Sequence, residues 1–350
     1  MLQAHRLKGI EAQRLKALYR ATGIKYRYSV ISDYSNHHRE FFPGTTDLEP
    51  FPTVERRMQL FREKALGLAL EAIEDCISPI PGFRLDSITH LITVSCTGLY
   101  APGLDIELVE QLGLSSSVER TAVNYMGCYA AINAIRLADS ICRARSNAVV
   151  LILCLELCSI HFQKEFNQDN LLANALFSDG AAAVIQSGVA GRQLKLQPEK
   201  FYCNIFRDGK NEMAWSIGNF GFVMRLSAYV PGVIKSGIRQ SVSQLLDHCQ
   251  MELGDIDFFA IHPGGKLILE VIENELEIER ARNEFGFEIL RNYGNMSSVS
   301  VLFVLKKIVE KFQYGLKDHG NILAMAFGPG LTLESMVLSV SRSRVSDHEE

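Results

Sequence analysis

The sequence lacks both a strong excess of charge of one sign and any long apolar run. Its 350 residues carry 36 Lys and Arg against 40 Asp and Glu, and the net charge of -4 argues against nucleic-acid binding. No apolar run approaches the length needed to cross a bilayer, and residues 1–6 lack the apolar core of a signal peptide. We therefore predict a cytoplasmic protein without a membrane span.

Short cofactor-binding motifs are also missing. The sequence has no phosphate-binding loop of the Walker type, no HExxH zinc motif and no GxGxxG dinucleotide motif. None of its eight cysteines forms a CxxC pair, and in a reducing compartment most of them should be small buried hydrophobes. We expect no metal, flavin or nucleotide cofactor.

Buried strands that alternate with helices indicate an α/β protein with a mixed or parallel sheet covered on both faces. In the first half the pattern predicts a basic helix over 4–23, a helix over 54–76 capped by Thr53, and strands over 88–95, 148–155 and 180–187. In the second half it predicts helices over 233–249 and 299–312, a strand that ends at His262, and strands over 321–326 and 335–340. A polar stretch near 190–200 divides the chain into residues 1–190 and 191–350.

Cys128 is the first candidate for chemistry. It precedes an apolar run, residues 130–138, that reads as a buried helix, and a thiol at a helix start should have a lowered pKa and favour the thiolate. His262 and Asn295 stand at the end of a strand and before a helix, so the three can form a nucleophile with its partners. Simpler alternatives are a small core cysteine, a turn histidine and a helix-capping asparagine.

Five segments carry a resemblance to a known family: the Cys128 segment, 176–183, 262–265, 294–298 and 327–332. With these segments in this order, the chain resembles the bacterial type III polyketide synthases of the chalcone and stilbene synthase family. The resemblance implies a thiolase-like fold in which two similar βαβαβ halves stack into five αβαβα layers, usually as a homodimer. The first half would carry the cysteine and the second the histidine and asparagine.

The resemblance also implies an activity. Cys128 would carry the acyl-CoA starter and the growing chain, and His262 would take or stabilise the thiol proton. His262 and Asn295 would polarise the thioester of malonyl-CoA, so that loss of carbon dioxide leaves a stabilised enolate. The product would be an alkylpyrone, an alkylresorcinol or a small phenolic ring, and no cofactor is required.

Further positions are assigned to substrate by the resemblance alone. Phe177 matches an aromatic gatekeeper, Met224 stands where plant enzymes have a second gatekeeper Phe, and Arg14 and Lys16 lie on a basic helix that meets the CoA phosphates. The remaining cavity positions are Cys96, Thr97, Glu156, Cys158, His161, Trp215, Ser297, Gly264 and Gly265. Without the resemblance, Phe177 and Met224 would be core residues and the basic helix a solvated face.

Family members usually begin further upstream, with an additional strand and helix. The resemblance therefore predicts that the first strand of the N-terminal sheet is absent from this sequence. A misassigned start codon, a truncated sequence and a genuine short form would each explain this, and we favour the first. The shortened form also suggests a non-catalytic homologue that binds acyl-CoA or a partner.

A second alternative is a condensing enzyme similar to ketoacyl-carrier-protein synthase III. Such an enzyme would share Cys, His and Asn but depend on a carrier protein. Its asparagine usually lies in a motif different from residues 294–298 here, which argues against this alternative.

Overall fold

The computed structural model describes residues 7–34, 39–45, 47–188, 194–315 and 317–342. The helices in these ranges are α1 (Gly9–Ala21), α2 (Val54–Ile77), α3 (Leu104–Gln111), α4 (Ala130–Ala144), α5 (Gln168–Leu176), α6 (Val230–Cys249), α7 (Lys266–Leu276), α8 (Glu284–Tyr293) and α9 (Val299–Tyr314). The strands are β1 (His90–Ser95), β2 (Glu119–Asn124), β3 (Val149–Leu157), β4 (Asp179–Ser187), β5 (Leu194–Ile205), β6 (Met213–Gly218), β7 (Gly221–Leu226), β8 (Phe258–Ile261), β9 (His319–Gly328) and β10 (Thr332–Arg342). None of these helices is both long and apolar enough to span a membrane.

Helix α2 shows how local sequence sets the start of an element. The Thr53 hydroxyl accepts a hydrogen bond from the Arg56 N–H at 3.3 Å, which satisfies a free donor of the first turn. The apolar face packs under the first sheet through Leu60, Phe61, Ala65, Ala69 and Ile73. The predicted helix over 54–76 is confirmed. The predicted basic helix over 4–23 is found as α1, and residues 4–6 lie outside the described part of the chain.

The first sheet has the strand order β2-β1-β3-β4, with β1 parallel to both neighbours and β4 antiparallel to β3. The three predicted strands are confirmed as β1, β3 and β4. Helix α3 and strand β2 are additional elements of the first half that the sequence analysis did not predict. Most residues of β2 are exposed, and its backbone pairing with β1 therefore leaves little apolar pattern to detect.

The second sheet has the order β5-β10-β9-β8 and repeats the succession of the first half. Helix α2, β1, α4, β3 and β4 correspond in order to α6, β8, α9, β9 and β10. The repeat is incomplete at one edge: β10 is paired on its outer side by β5, whereas β4 ends its sheet among the described strands. Most residues of β4 are accordingly only half-buried.

Three apolar clusters define five layers. Helices α4 and α9 lie between the two sheets and share one core with the inner faces of both. Helices α2 and α3 cover the outer face of the first sheet, and α6 and α7 cover the outer face of the second. This confirms the predicted five-layer αβαβα arrangement. The predicted boundary between residues 190 and 191 falls within residues 189–193, which lie outside the described part.

The hairpin β6–β7 belongs to neither sheet and is fastened to the first half by side chains. His161 Nδ1 accepts a hydrogen bond from the Phe222 N–H at 3.0 Å, so its Nε2–H donates to the Thr97 carbonyl at 2.7 Å. Gln163 Nε2 donates to the Phe220 carbonyl at 2.9 Å, and the Phe222 ring stacks on His161 with centroids 4.2 Å apart. His161 is thereby fixed as a neutral ring between two backbone groups.

This clamp gives stability a defined pH dependence. Burial lowers the pKa of His161 from 6.5 to about 3. The contribution of neutral His161 to the free energy of unfolding is therefore fully present above pH 6.5 and is lost as the pH falls towards 3. The reason is that His161 becomes protonated in the unfolded chain but stays neutral in the folded chain. Between pH 7 and pH 5 this loss amounts to about 2 kcal/mol.

We expect the His161→Gln variant to lose about 2 kcal/mol less unfolding free energy than the wild type between pH 7 and pH 5. Glutamine supplies one acceptor and one donor without titrating. Urea denaturation at each pH measures the difference, which should stay constant above pH 7. Parallel losses in the two proteins would show that His161 is not held neutral.

Candidate active site

A cavity of about 710 Å³ is lined by residues of both halves and of the hairpin. Cys128, His262 and Asn295 all open onto it. They come from three separate places in the chain: the turn before α4, the end of β8 and the loop before α9. The fold therefore brings the three predicted candidates to one cavity.

Cys128 lies in the short turn Gly127–Tyr129 that leads into α4, with 8% of its surface exposed. Gly127 has a φ of 78°, and a Cβ at this position would lie 2.3 Å from Pro329 Cδ. Only glycine allows both the left-handed backbone and this close approach. The turn at 328–330 consequently supports the Cys128 turn from the second half.

His262 follows β8 and is held by its backbone. Its N–H donates to the Met325 carbonyl at 2.8 Å, and its carbonyl accepts from the Gly264 N–H at 2.8 Å. Both ring nitrogens are buried without a hydrogen-bond partner among the described residues. Burying a polar group without a hydrogen-bond partner costs folding free energy. The two ring nitrogens remain available to bond a substrate that enters the cavity.

Asn295 is oriented by its own loop and by the loop of His262. Its Oδ1 accepts from the Ser297 N–H at 2.9 Å, and its Nδ2 donates to the Gly264 carbonyl at 3.3 Å. The second N–H of the amide remains for another acceptor. The helix-capping alternative is wrong, because α9 begins at Val299 with Ser298 in the capping position.

Burial controls the charge state of the cavity. It raises the pKa of Cys128 to about 12, although a hydrogen bond with Ser297 acts in the opposite direction, and it lowers the pKa of His262 to about 3. Both groups are neutral at pH 7. The expectation that Cys128 has a lowered pKa is therefore wrong in this geometry, since the lost hydration outweighs the opposing hydrogen bonds of Ser297 and of the Cys128 backbone.

Most positions that the family resemblance assigned to substrate line this cavity. Besides the three candidates, the lining includes Phe177, Met224, Cys96, Thr97, Cys158, His161, Trp215, Ser297 and Gly264. Phe177 forms a backbone bridge with Asn295, and Met224 is paired with Trp215 across the hairpin. Gly265 precedes α7 and is not part of the lining.

Glu156 lies behind the cavity wall and is fully buried. It accepts hydrogen bonds from the Cys96 N–H at 3.0 Å, the Thr97 hydroxyl at 2.8 Å and the Ser298 hydroxyl at 2.7 Å. Burial raises its pKa, and these bonds offset part of the rise. Its contacts fix the residues at the cavity wall, so Glu156 supports the site from behind.

The basic residues at the cavity mouth differ from those that the sequence suggested. Arg14 and Lys16 are exposed on α1 and do not line the cavity. Lys25 and Arg27, in the segment after α1, do line it. The family resemblance drew attention to Arg14 and Lys16 on α1, whereas the following segment has no regular pattern from which to single out Lys25 and Arg27.

Phe222 is a further cavity residue that the sequence did not reveal. Its ring stacks between His161 and Trp215, with centroids 4.2 Å and 4.9 Å away, and Trp215 also contacts the ring of Tyr125 at 5.7 Å. His161, Phe222 and Trp215 line the cavity, and Tyr125 packs against Trp215 without lining it. The apolar residues of β7 indicate one face of a strand, but they do not show that this face packs against the cavity.

Comparison with protein families assigns nearly the whole chain. The family described as chalcone and stilbene synthases, N-terminal domain, matches residues 6–189. The corresponding C-terminal domain family matches residues 190–341.

Individual relatives agree with this match. A Mycobacterium tuberculosis protein, alpha-pyrone synthesis polyketide synthase-like Pks18, is 34% identical over 295 residues, which are 83% of this chain and 74% of that protein. The type III polyketide synthase domain of Steely1 from Dictyostelium has a TM-score of 0.84 at 30% identity and covers 96% of this chain and 92% of its own. Tetrahydroxynaphthalene synthase of Streptomyces coelicolor has a TM-score of 0.83 at 25% identity, with 97% and 93% covered.

These matches favour a polyketide synthase over the alternative of a ketoacyl-carrier-protein synthase III. The two family domains lie in the expected order, and the solved relatives share the five-layer fold over almost the entire chain. The chain belongs to the chalcone and stilbene synthase family and is a type III polyketide synthase, a condensing acyltransferase with a thiolase-like fold.

Proposed function

We propose that this synthase loads an acyl-CoA starter onto Cys128, extends it with malonyl-CoA by decarboxylative condensation, and cyclises the product. The observation that carries the proposal is the buried imidazole of His262, which has no hydrogen-bond partner in the described part of the chain and lines the same cavity as Cys128. A ring nitrogen with no protein partner is available both to take a proton and to give one back.

In the loading step, His262 accepts the proton of the Cys128 thiol as the sulfur attacks the thioester carbonyl. The carbon–sulfur bond to CoA then breaks, and His262 returns the proton to the departing thiolate. Because both groups begin neutral, the charge pair forms only when the thioester is in place. Because the thiol stays neutral between turnovers, it is protected from oxidants and other electrophiles, which attack the thiolate.

In the extension step, malonyl-CoA loses carbon dioxide and leaves an enolate. The Asn295 amide and the His262 ring donate hydrogen bonds to the enolate oxygen, a stabilisation worth about 3 kcal/mol for each donor. The enolate carbon attacks the acyl group on Cys128, and the cysteine sulfur leaves. The lengthened chain is then on CoA and returns to Cys128 for the next cycle.

The finer assignments are also proposals. The mycobacterial relative is named for alpha-pyrone synthesis, so an alkylpyrone is the first product to test, ahead of an alkylresorcinol or a small phenolic ring. The wall formed by Met224, Trp215 and Phe222 is the side of the cavity that sets the room for the acyl chain. No cofactor takes part in these steps.

We further propose that the CoA phosphates meet the cations at the mouth. Lys25 is exposed, lines the cavity, and has its ammonium 4.9 Å from the Tyr26 ring centroid. Arg27 is held more firmly, because its guanidinium donates to the Asn174 carbonyl at 2.5 Å. Lys25 is therefore the cation that is freer to move onto a phosphate.

The test of the proposed function is the intact mass of the protein after mixing with a panel of acyl-CoA thioesters. We expect an acyl-sized increment on the wild type that is absent from Cys128→Ala, because the thioester forms at that sulfur. Cys158→Ala is the matched control, since its thiol lines the same cavity and its loss should leave the increment in place. A folded wild type that takes up no acyl group would refute the proposal.

The two candidate phosphate sites can be compared by equal changes of charge. We expect Lys25→Gln to raise the half-saturating acyl-CoA concentration about five-fold at low salt, with the maximal acylation rate unchanged. Lys16→Gln removes the same charge from α1 and should change little. A larger rise for Lys16→Gln than for Lys25→Gln would contradict the proposal and would place the phosphate site on α1, as the resemblance implies.

We propose a homodimer as the working assembly. Two buried atoms on α4, Asn133 Oδ1 and Arg136 Nε, have no hydrogen-bond partner among the described residues, and a second copy could supply one. Light scattering during gel filtration should give twice the chain mass of 39.1 kDa. A mass of one chain at micromolar concentration would contradict the proposal.

A further inference from the structure

The mouth of the cavity is covered by residues 23–34, which we call the entrance strap. Apart from a short turn at Ser32–Tyr34, the strap has neither helix nor strand. Much of it lines the cavity, including Lys25, Tyr28 and Tyr34. A segment without ladder hydrogen bonds keeps its place through individual contacts. The groups that make those contacts therefore control the entrance.

The N-terminal part of the strap is held by the Arg291 carbonyl, which accepts from the N–H groups of Lys25 and Tyr26, and the later part is held at Asp179. Its Oδ2 accepts from the Val30 N–H at 2.8 Å and from the Ser159 hydroxyl at 2.6 Å, and its Oδ1 accepts from the Ser159 N–H at 2.7 Å. Its own N–H donates to the Tyr28 carbonyl at 2.9 Å. The residue is 4% exposed, and each of these partners of the carboxylate is a hydrogen-bond donor.

The carboxylate also sets the direction of a longer chain of hydrogen bonds. Because the Ser159 hydroxyl donates to Asp179, the Ser29 hydroxyl must donate to Ser159, at 2.7 Å. Ser29 in turn accepts from the Ile31 N–H at 3.0 Å. Tyr34 adds a bond from its hydroxyl to the Ser159 carbonyl at 2.9 Å. The strap is thus joined to Asp179 directly and through Ser159.

The same stretch of chain holds the reacting groups. The Ser178 N–H donates to the Asn295 carbonyl at 2.9 Å, and the Asn295 N–H donates to the Leu176 carbonyl at 2.9 Å. Phe177 forms a backbone bridge with Asn295 and lines the cavity. Residues 176–179 therefore meet Asn295 on one side and the strap on the other.

We propose that Asp179 is a positioning residue for thioester binding, whose ionised carboxylate fixes the entrance strap over the cavity in register with Phe177 and Asn295. The inference rests on the proposed CoA-thioester chemistry. The charge matters because a protonated acid or an amide would turn a hydrogen towards groups that are themselves donors, and at least one contact would be lost.

The Asp179 carboxylate carries its charge at neutral pH. Burial raises the pKa of Asp179 to about 6, against the opposing effect of its hydrogen bonds. The ionisable groups that interact with it are Tyr34 and Cys158, and burial raises the pKa of both, so they remain neutral; Arg57 and Arg27 act on Tyr34 from α2 and from the strap. At pH 7 the Asp179 carboxylate is therefore mostly ionised and accepts all three hydrogen bonds, from Val30 and from the hydroxyl and N–H of Ser159.

The test measures the rate of Cys128 acylation against acyl-CoA concentration. In Asp179→Asn we expect the half-saturating concentration to rise about ten-fold while the maximal rate stays within about three-fold of the wild type. A normal half-saturating concentration in the variant, or a fall in maximal rate alone, would overturn the inference.

Glu273→Gln is the matched control. Glu273 is also a buried carboxylate, bonded to Arg280 and Asn283, but it does not line the cavity. Its variant should bind thioester as the wild type does, and an equal weakening would show a general effect of losing buried charge. Should Asp179→Asn fail to fold, Ser159→Ala removes one donor and keeps the charge. A rise of about three-fold then supports the inference, and no rise overturns it.

A second readout separates this inference from the proposed function. Trypsin cleaves after Lys25 and Arg27, which lie within the strap. Cleavage there should be faster in Asp179→Asn than in the wild type, whether or not any thioester reacts. If the wild type takes up no acyl group, the proposed function fails, while equal cleavage rates refute the role of Asp179.

Discussion

A short stretch of backbone pairing holds the two halves together where the chemistry takes place. Asn295 exchanges hydrogen bonds with Leu176 and Ser178, so a loop of the second half is fixed against the end of α5 in the first. The Pro329 turn adds a second contact by packing against Gly127. The relative positions of Cys128, His262 and Asn295 depend on these two contacts, because no element carries more than one of them.

Desolvation then determines how the site works. The cavity withholds water from both Cys128 and His262, and the cost of charging either alone keeps both neutral. In the mechanism that we propose, Cys128 ionises only with its substrate in place, so it is slow to react with other electrophiles or with oxidants, which attack the thiolate. The same burial that costs folding free energy therefore contributes selectivity.

The sequence reveals those features that strain the backbone or repeat along it. Gly127 stands beside Cys128 because the turn requires both a positive φ and a close contact, and such requirements leave local motifs. The helices and central strands follow from apolar periodicity. His161 and Phe222 meet 61 positions apart, so no local pattern shows their clamp. The pKa of Cys128 depends on burial by distant segments, and local sequence suggests the wrong direction.

Strand β4 has no partner strand on its outer side among the described residues, and this has a consequence for how the chain behaves at high concentration. Residues 180–187 contain no charged side chain and no proline, the usual protection of an edge strand. Their small and branched side chains suit an added strand, and the corresponding edge of β10 already receives one from β5. An extended peptide of matching character would find a template there. Among the described strands, this edge is therefore a place where sheets between molecules could begin.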